Sequence, residues 1–96
     1  MLTVSIVIPT LNEASVLPAT LRRVASQPGP KEVVVVDGHS TDGTAEVAQR
    51  MGATVFQTPA GRAVQMNRGA EHSRGDALLF LRSEEHTSEL QSPSAI

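Results

Sequence analysis

The side chains best suited to chemistry in this 96-residue chain fall in three short stretches. Pro9, Thr10, Asn12 and Glu13 lie in IVIPTLNE, Asp37, Gly38, Ser40 and Asp42 in VVVVDGHSTDGT, and Gly61 and Arg62 open GRAVQMNRGA. Asp37, at the end of a valine run, supplies an acceptor-only carboxylate that could meet a base N–H or a ribose hydroxyl. Gly38 and Gly43 keep the rim around it low and permit positive φ. Arg62, directly after Gly61 at a helix start, would join a guanidinium fork to free backbone N–H groups, a combination that holds a diphosphate. Each of these has a structural alternative. Ser40, Thr41 and Asp42 are helix-capping types, Asn12 caps as well, and Glu13 suits the positive end of a helix dipole. Asp37 could simply close a turn, and Arg62 could be a solvated surface residue.

Positioning these residues takes regular elements, and the apolar patterning predicts them. Residues 3–8 (TVSIVI) form a β-branched run stopped by Pro9, which cannot donate to a sheet ladder. With Asn12 as its cap, a helix follows in which Leu17, Leu21 and Val24 make one stripe, Pro18 sits in the first turn, and Arg22 and Arg23 point outward. Residues 32–36 hold four consecutive valines, the pattern of a parallel strand buried on both faces. A second helix carries Ala45, Val47, Ala48 and Met51 and stops at Gly52. Residues 53–57 read as a third strand, residues 62–73 as a third helix and residues 77–81 as a fourth strand, with Asp76 capping the turn before it. The alternation predicts an α/β fold, a Rossmann-like three-layer parallel sheet of about four strands and three helices. In such sheets ligands bind beyond the carboxyl ends of the strands, which is where the three chemical stretches fall.

Composition narrows the function classes. With no cysteine, the chain has no disulfide scaffold, thiolate metal site or cysteine nucleophile, and a reducing cytoplasm is permitted. Eight basic against ten acidic residues, with two Phe as the only aromatics, give neither a basic stripe nor a stacking platform, so no nucleic-acid partner is expected. No apolar run approaches the roughly 20 residues of a membrane span, and Met1 leads straight into a strand-like run, so no signal peptide is expected. The first loop lacks GxGxxG and the chain lacks GxxxxGK[ST], which disfavours dinucleotide and P-loop sites. His39, His72 and His86 are not spaced for one metal.

The chain changes character after Leu81. Residues 82–96, RSEEHTSELQSPSAI, are polar, and their Glu84, Glu85 and Glu89 against Arg82 account for the whole net charge of -2. Triplet by triplet, RSEEHTSELQS resembles the in-frame translation of a common short-read sequencing adapter. The reading is therefore a partial domain over residues 1–81 and an artefactual or disordered tail over residues 82–96.

IVIPTLNE followed by VVVVDGHSTDGT resembles the N-terminal nucleotide-binding half of a family 2 glycosyltransferase with the GT-A fold, and GRAVQMNRGAEHSRGDALLFL adds a third block shared with small bacterial members. The resemblance implies transfer of a sugar from a nucleotide-diphosphate sugar, with a UDP-sugar favoured, to an acceptor hydroxyl that the sequence does not identify. By it, Pro9, Thr10 and Glu13 line the nucleoside pocket, Asp37 holds the base or ribose, Gly38, Ser40 and Asp42 belong to the same binding loop, and Arg62 approaches the diphosphate. It also implies a divalent Mg²⁺ or Mn²⁺ held by an Asp-x-Asp-type motif after the fourth strand. Arg82 and Ser83 stand where that motif is expected, so the metal motif is missing and the truncated chain is expected to be inactive. A full-length member would be cytoplasmic, with membrane association open to it. The alternative is a non-catalytic α/β nucleotide-binding or interaction module. A sugar-phosphate nucleotidyltransferase would present a Gly-rich, basic loop in place of PTLNE.

Overall fold

The computed structural model describes residues 2–82. The elements run β1 (Val4–Thr10), α1 (Leu17–Ala25), β2 (Lys31–Asp37), α2 (Thr44–Arg50), β3 (Thr54–Gln57), α3 (Arg62–Glu71) and β4 (Ala77–Phe80). All pairings are parallel, in the order β3-β2-β1-β4. This is the expected α/β, Rossmann-like sheet with three helices. The polar tail, apart from Arg82, lies outside the described residues.

The valine run explains the layering. Alternate residues of β2 face opposite sides: Val35 joins Ile6, Ile8, Leu17, Leu21, Val24 and Ala48 beneath α1 and α2, whereas Val34 and Val36 join Val7 and Phe56 on the other side. Helix α3 lies close on that second side because Gly69 has no side chain. A Cβ there would stand 2.3 Å from Val7 Cγ1 and 3.1 Å from Val36 Cγ2.

Three details depart from the sequence reading. Strand β1 continues through Pro9 to Thr10 instead of stopping at Ile8. Its pairing with β4 ends at Val7, so Pro9 has β2 alone beside it among the described strands, an edge-like place where a missing N–H is tolerated. Helix α1 begins at Leu17, not after an Asn12 cap, since Asn12 takes a left-handed φ of 54° and its side chain bonds the next loop. Pro18 does sit in the first turn of α1, where its missing donor costs no helical bond. Asp76 caps no local turn; its carboxylate accepts the N–H of Thr3, 2.9 Å away, and fastens the start of β4 to the start of β1.

The strand order places a reversal of direction between β1 and β4, so the loop at the carboxyl end of β1 borders a topological switch point, with the loop after β2 next to it. Beyond the switch point, β4 is the last strand of the sheet among the described residues, with Leu78, Leu79 and Phe80 44–48% exposed.

Candidate functional site

The carboxyl ends of β1 and β2 are wired together through Asp37. Its side chain is fully buried, and the Thr10 hydroxyl donates to Oδ1 at 2.8 Å. The Ser40 hydroxyl donates to the same oxygen at 2.6 Å, and the Ser40 N–H donates to Oδ2 at 2.8 Å. Gln57 Nε2, at the end of β3, approaches Oδ2 at 3.5 Å. A buried carboxylate is tolerated when donors surround it, and each such bond contributes about 1.5–3 kcal/mol. The bonds fold residues 38–43 back over the end of β1. Asp37 therefore presents its carboxylate to Thr10 and Ser40, not to an open pocket.

A second set of bonds ties that loop to the one after β1. The Asn12 N–H donates to Ser40 Oγ at 2.7 Å, and Asn12 Oδ1 accepts the Thr41 N–H at 2.8 Å. The Glu13 N–H donates to Thr44 Oγ1 at 3.0 Å, and the Ala14 N–H to Asp42 Oδ2 at 3.1 Å. Asp42 Oδ1 also accepts the N–H and hydroxyl of Thr44, the first residue of α2, so from one position before the Gly43 N-cap it holds the helix start and pins the β1 loop at once. These bonds, the Thr44 hydroxyl first, hold the Asp42 carboxyl below its ordinary value against desolvation. Glu13 is half-buried below this rim.

The glycines do different jobs from those expected. Gly43 does take a positive φ of 89°, but in the other turn the left-handed residue is His39, at 62°, and not Gly38. Gly38 is needed for close approach: a Cβ there would lie 3.0 Å from Ala60 Cα and 3.3 Å from Gln65 Oε1.

The third loop reaches the same place. The Thr58 N–H donates to the Asp37 carbonyl at 2.9 Å, and α3 begins immediately after Gly61 with Arg62 exposed. Sequence reasoning missed Gln65. It is 4% exposed, its Nε2 donates to the carbonyls of Thr10 at 2.9 Å and Val36 at 2.8 Å, and its Oε1 accepts the Gly61 N–H at 3.1 Å. A polar residue four positions before Gly69, on the face turned to the sheet, was the available signal. The structure thus brings together Thr10, Asp37, Ser40 and Asp42 by direct or shared bonds, with Pro9 and Gly38 in the adjoining backbone. Arg62 stands at the same end without a bond to that cluster among the described residues.

Oxygen donors for a divalent cation do not fit what is present. Among the described residues no group of three His, Asp or Glu side chains could hold one, and Leu81 and Arg82, past the end of β4, supply no oxygen ligand from their side chains. No described helix is long and apolar enough to cross a membrane.

The family model for glycosyl transferase family 2 matches residues 5–83. A PGL/p-HBAD biosynthesis glycosyltransferase of Mycobacterium bovis is 44% identical over 85 residues, covering 80% of this chain and 33% of that relative. The crystal structure of mannosyl-3-phosphoglycerate synthase from Rubrobacter xylanophilus superposes with a TM-score of 0.79 at 32% identity, over 85% of this chain and 30% of that one. Glucosyl-3-phosphoglycerate synthase from Mycobacterium tuberculosis, solved with Mn²⁺, UDP and glucosyl-3-phosphoglycerate, gives 0.76 at 26% identity, over 86% and 34%. The chain spans about a third of the length of these relatives.

Proposed function

Because the chain belongs to glycosyl transferase family 2, an enzyme family of sugar transfer, we propose that its strand-end cluster is the nucleotide side of a donor-sugar site. The observation that carries this is convergence: the buried Thr10–Asp37–Ser40 cluster and the first turn of α3 meet at one end of the sheet, beside the switch point.

The parts divide as follows. Pro9, Thr10 and Glu13 form the floor and wall of the nucleoside pocket. Asp37 acts through Ser40, fixing the rim at the height a base or ribose meets. Gly38 lets the Ala60 backbone close in, and Asp42 locks the two loops into one rim. Arg62 and the first N–H groups of α3 face the diphosphate, where a planar fork and a positive helix end stabilise the charge that grows on the leaving group.

In the reaction the acceptor hydroxyl oxygen bonds to the anomeric carbon, the bond from that carbon to the diphosphate oxygen breaks with its electron pair leaving on the diphosphate, and the hydroxyl proton passes to a base. A UDP-sugar is the favoured donor, supported by the UDP in the mycobacterial synthase. A divalent cation, when bound, would neutralise the leaving diphosphate, as the Mn²⁺ in that relative supports, but the described residues offer it no ligand set and no step is assigned to it. The donor-binding part is residues 1–81, with no role for residues 82–96, and this chain binds donor without turning it over. The absence of cysteine accords with a cytoplasmic site.

Titration calorimetry with UDP and with uridine tests this reading. UDP is expected to bind more tightly than uridine, and Arg62→Ala to weaken UDP about tenfold while sparing uridine, the cost of one charge-assisted contact. Absence of UDP binding to the wild-type chain would overturn it.

A further inference from the structure

We propose that Gln65 is a positioning residue for the diphosphate arm of the donor site, setting the first turn of α3 against the ends of β1 and β2; this rests on the donor-site reading above. Its carboxamide uses both N–H groups and its oxygen at once, on the carbonyls of Thr10 and Val36 and on the N–H of Gly61. Burying such a group on a face otherwise lined by Val7, Val34 and Val36 is costly where an aliphatic side chain would pack without desolvation, so the bonds are what the position provides.

What they hold is the segment that most needs holding. Pro59, Ala60 and Gly61 are exposed, and Gly61 sits at φ 150°, in the region that favours glycine, so the approach to α3 has little packing of its own. The body of the helix is anchored elsewhere, one turn on, where Gly69 rests against Val7 and Val36. Loss of the carboxamide therefore frees the turn carrying Arg62 while leaving the helix docked. The nucleoside rim loses one donor to the Thr10 carbonyl but keeps its own ties through Asp37, Ser40 and Asp42, the Thr10 hydroxyl's bond to Asp37 among them.

The separation gives the test. The 96-residue chain and its Gln65→Met variant are titrated with UDP and with uridine. The variant is expected to lose about tenfold in UDP affinity and to keep its uridine affinity, so that the ratio of the two collapses. A variant that loses both ligands equally, or neither, overturns the proposal while leaving the donor site intact; a wild-type chain that binds uridine and UDP alike overturns the donor reading itself and this proposal with it. If Gln65→Met does not fold, the side-chain carboxamide resonances of Gln65 in the wild-type chain decide. They are expected to shift with saturating UDP and stay with saturating uridine, and equal behaviour with the two ligands overturns the assignment.

Discussion

At both ends of the β1–β2 ladder a hydroxyl on β1 faces a carboxylate on β2 across one register pair. Ser5 Oγ donates to Glu32 Oε1 at 2.7 Å near the amino ends, and Thr10 Oγ1 donates to Asp37 Oδ1 at 2.8 Å at the carboxyl ends. The surroundings make them different devices. Glu32 is half-buried, and its remaining donor is the Arg74 N–H in the turn before β4, while Ser5 Oγ in turn accepts the Gly75 N–H. That pair fastens one turn to the amino ends of the two central strands. Asp37 is fully buried and collects donors from the ends of β1 and β3 and from the loop after β2, beside the start of a helix whose N–H groups are not used by the sheet. The same two functional groups staple at one end and shape a rim at the other, because a parallel sheet sends the positive ends of its helices to the carboxyl side.

The comparison breaks most sharply at the carboxylates themselves. Asp37→Ala strands the Thr10 hydroxyl and the Ser40 N–H inside the protein and should cost about 3 kcal/mol of stability, with UDP binding lost. Glu32→Ala strands the buried Ser5 hydroxyl but leaves its other donor, the Arg74 N–H, within reach of water, and should cost less, about 1 kcal/mol, with the UDP-to-uridine ratio unchanged. Urea unfolding and calorimetry on the two variants check both halves. Equal costs would mean that burial does not distinguish the ends.

The part of this contrast readable in the sequence is the part carried by neighbours along the chain. The valines of β2 announced a strand buried on both faces, Pro18 a first helical turn and Gly52 a helix stop, whereas the N-cap of α2 is Gly43 and not Asp42. The order of the strands along the chain, and so the end of the sheet proposed for the site, followed from the alternation alone, although β1 runs two residues past the stop that Pro9 suggested. The wiring did not follow. Asn12 reads as a cap by type, yet its partners are the Ser40 hydroxyl and Thr41 N–H of a loop 28 and 29 residues away. Gln65 bonds a carbonyl 55 residues off, and Glu32 meets an N–H 42 residues on. A side chain's type fixes what it can donate or accept; the fold decides from which loop the partner comes. Asp37 marks the limit: its place at a strand end was legible, but its burial behind Ser40 was not, since that depends on the backbone of His39 turning left-handed.

The glycines sharpen the comparison at intermediate size. A Cβ on Gly75 would stand 2.6 Å from Ser5 Oγ, 2.7 Å from the Thr3 carbonyl oxygen and 2.8 Å from Ser5 N, two of them backbone atoms at the start of β1 and just before it. Gly75→Ala should therefore cost about 2 kcal/mol and release β4 without altering nucleotide preference. Gly38→Ala meets the backbone of a loop at 3.0 Å, which can give, so about 1 kcal/mol is expected, together with a weaker hold on UDP because Ala60 and Gln65 are pushed back. Thermal unfolding with and without UDP separates the two. A Gly75 variant with altered nucleotide preference would join the ends that the structure keeps apart.

The smallest expected effect is on acid stability, and its sign follows from Glu32. The Arg74 N–H first and the Ser5 hydroxyl second hold its carboxyl below the ordinary value of 4.5, over the opposing pull of desolvation. A group whose pKa is depressed on folding adds stability that is fully present above its unfolded value and is lost as pH falls through the folded one. Stability should thus fall from about pH 5 downward, and Glu32→Gln, which keeps an acceptor oxygen but cannot titrate, should flatten part of that fall. Asp42 is depressed as well, mainly by the Thr44 hydroxyl, so Asp42→Asn should flatten another part. The two are told apart by where unfolding begins. Hydrogen exchange at about pH 4 should show protection lost first around Thr3, Arg74 and Gly75 in the wild-type chain but not in Glu32→Gln, because the amino-end staple opens when its carboxylate takes a proton whereas the carboxyl-end rim has further bonds to hold it. Identical exchange in the two proteins would mean that the Ser5–Glu32 pair carries no share of the fold's stability, and that the likeness between the two ends is one of geometry alone.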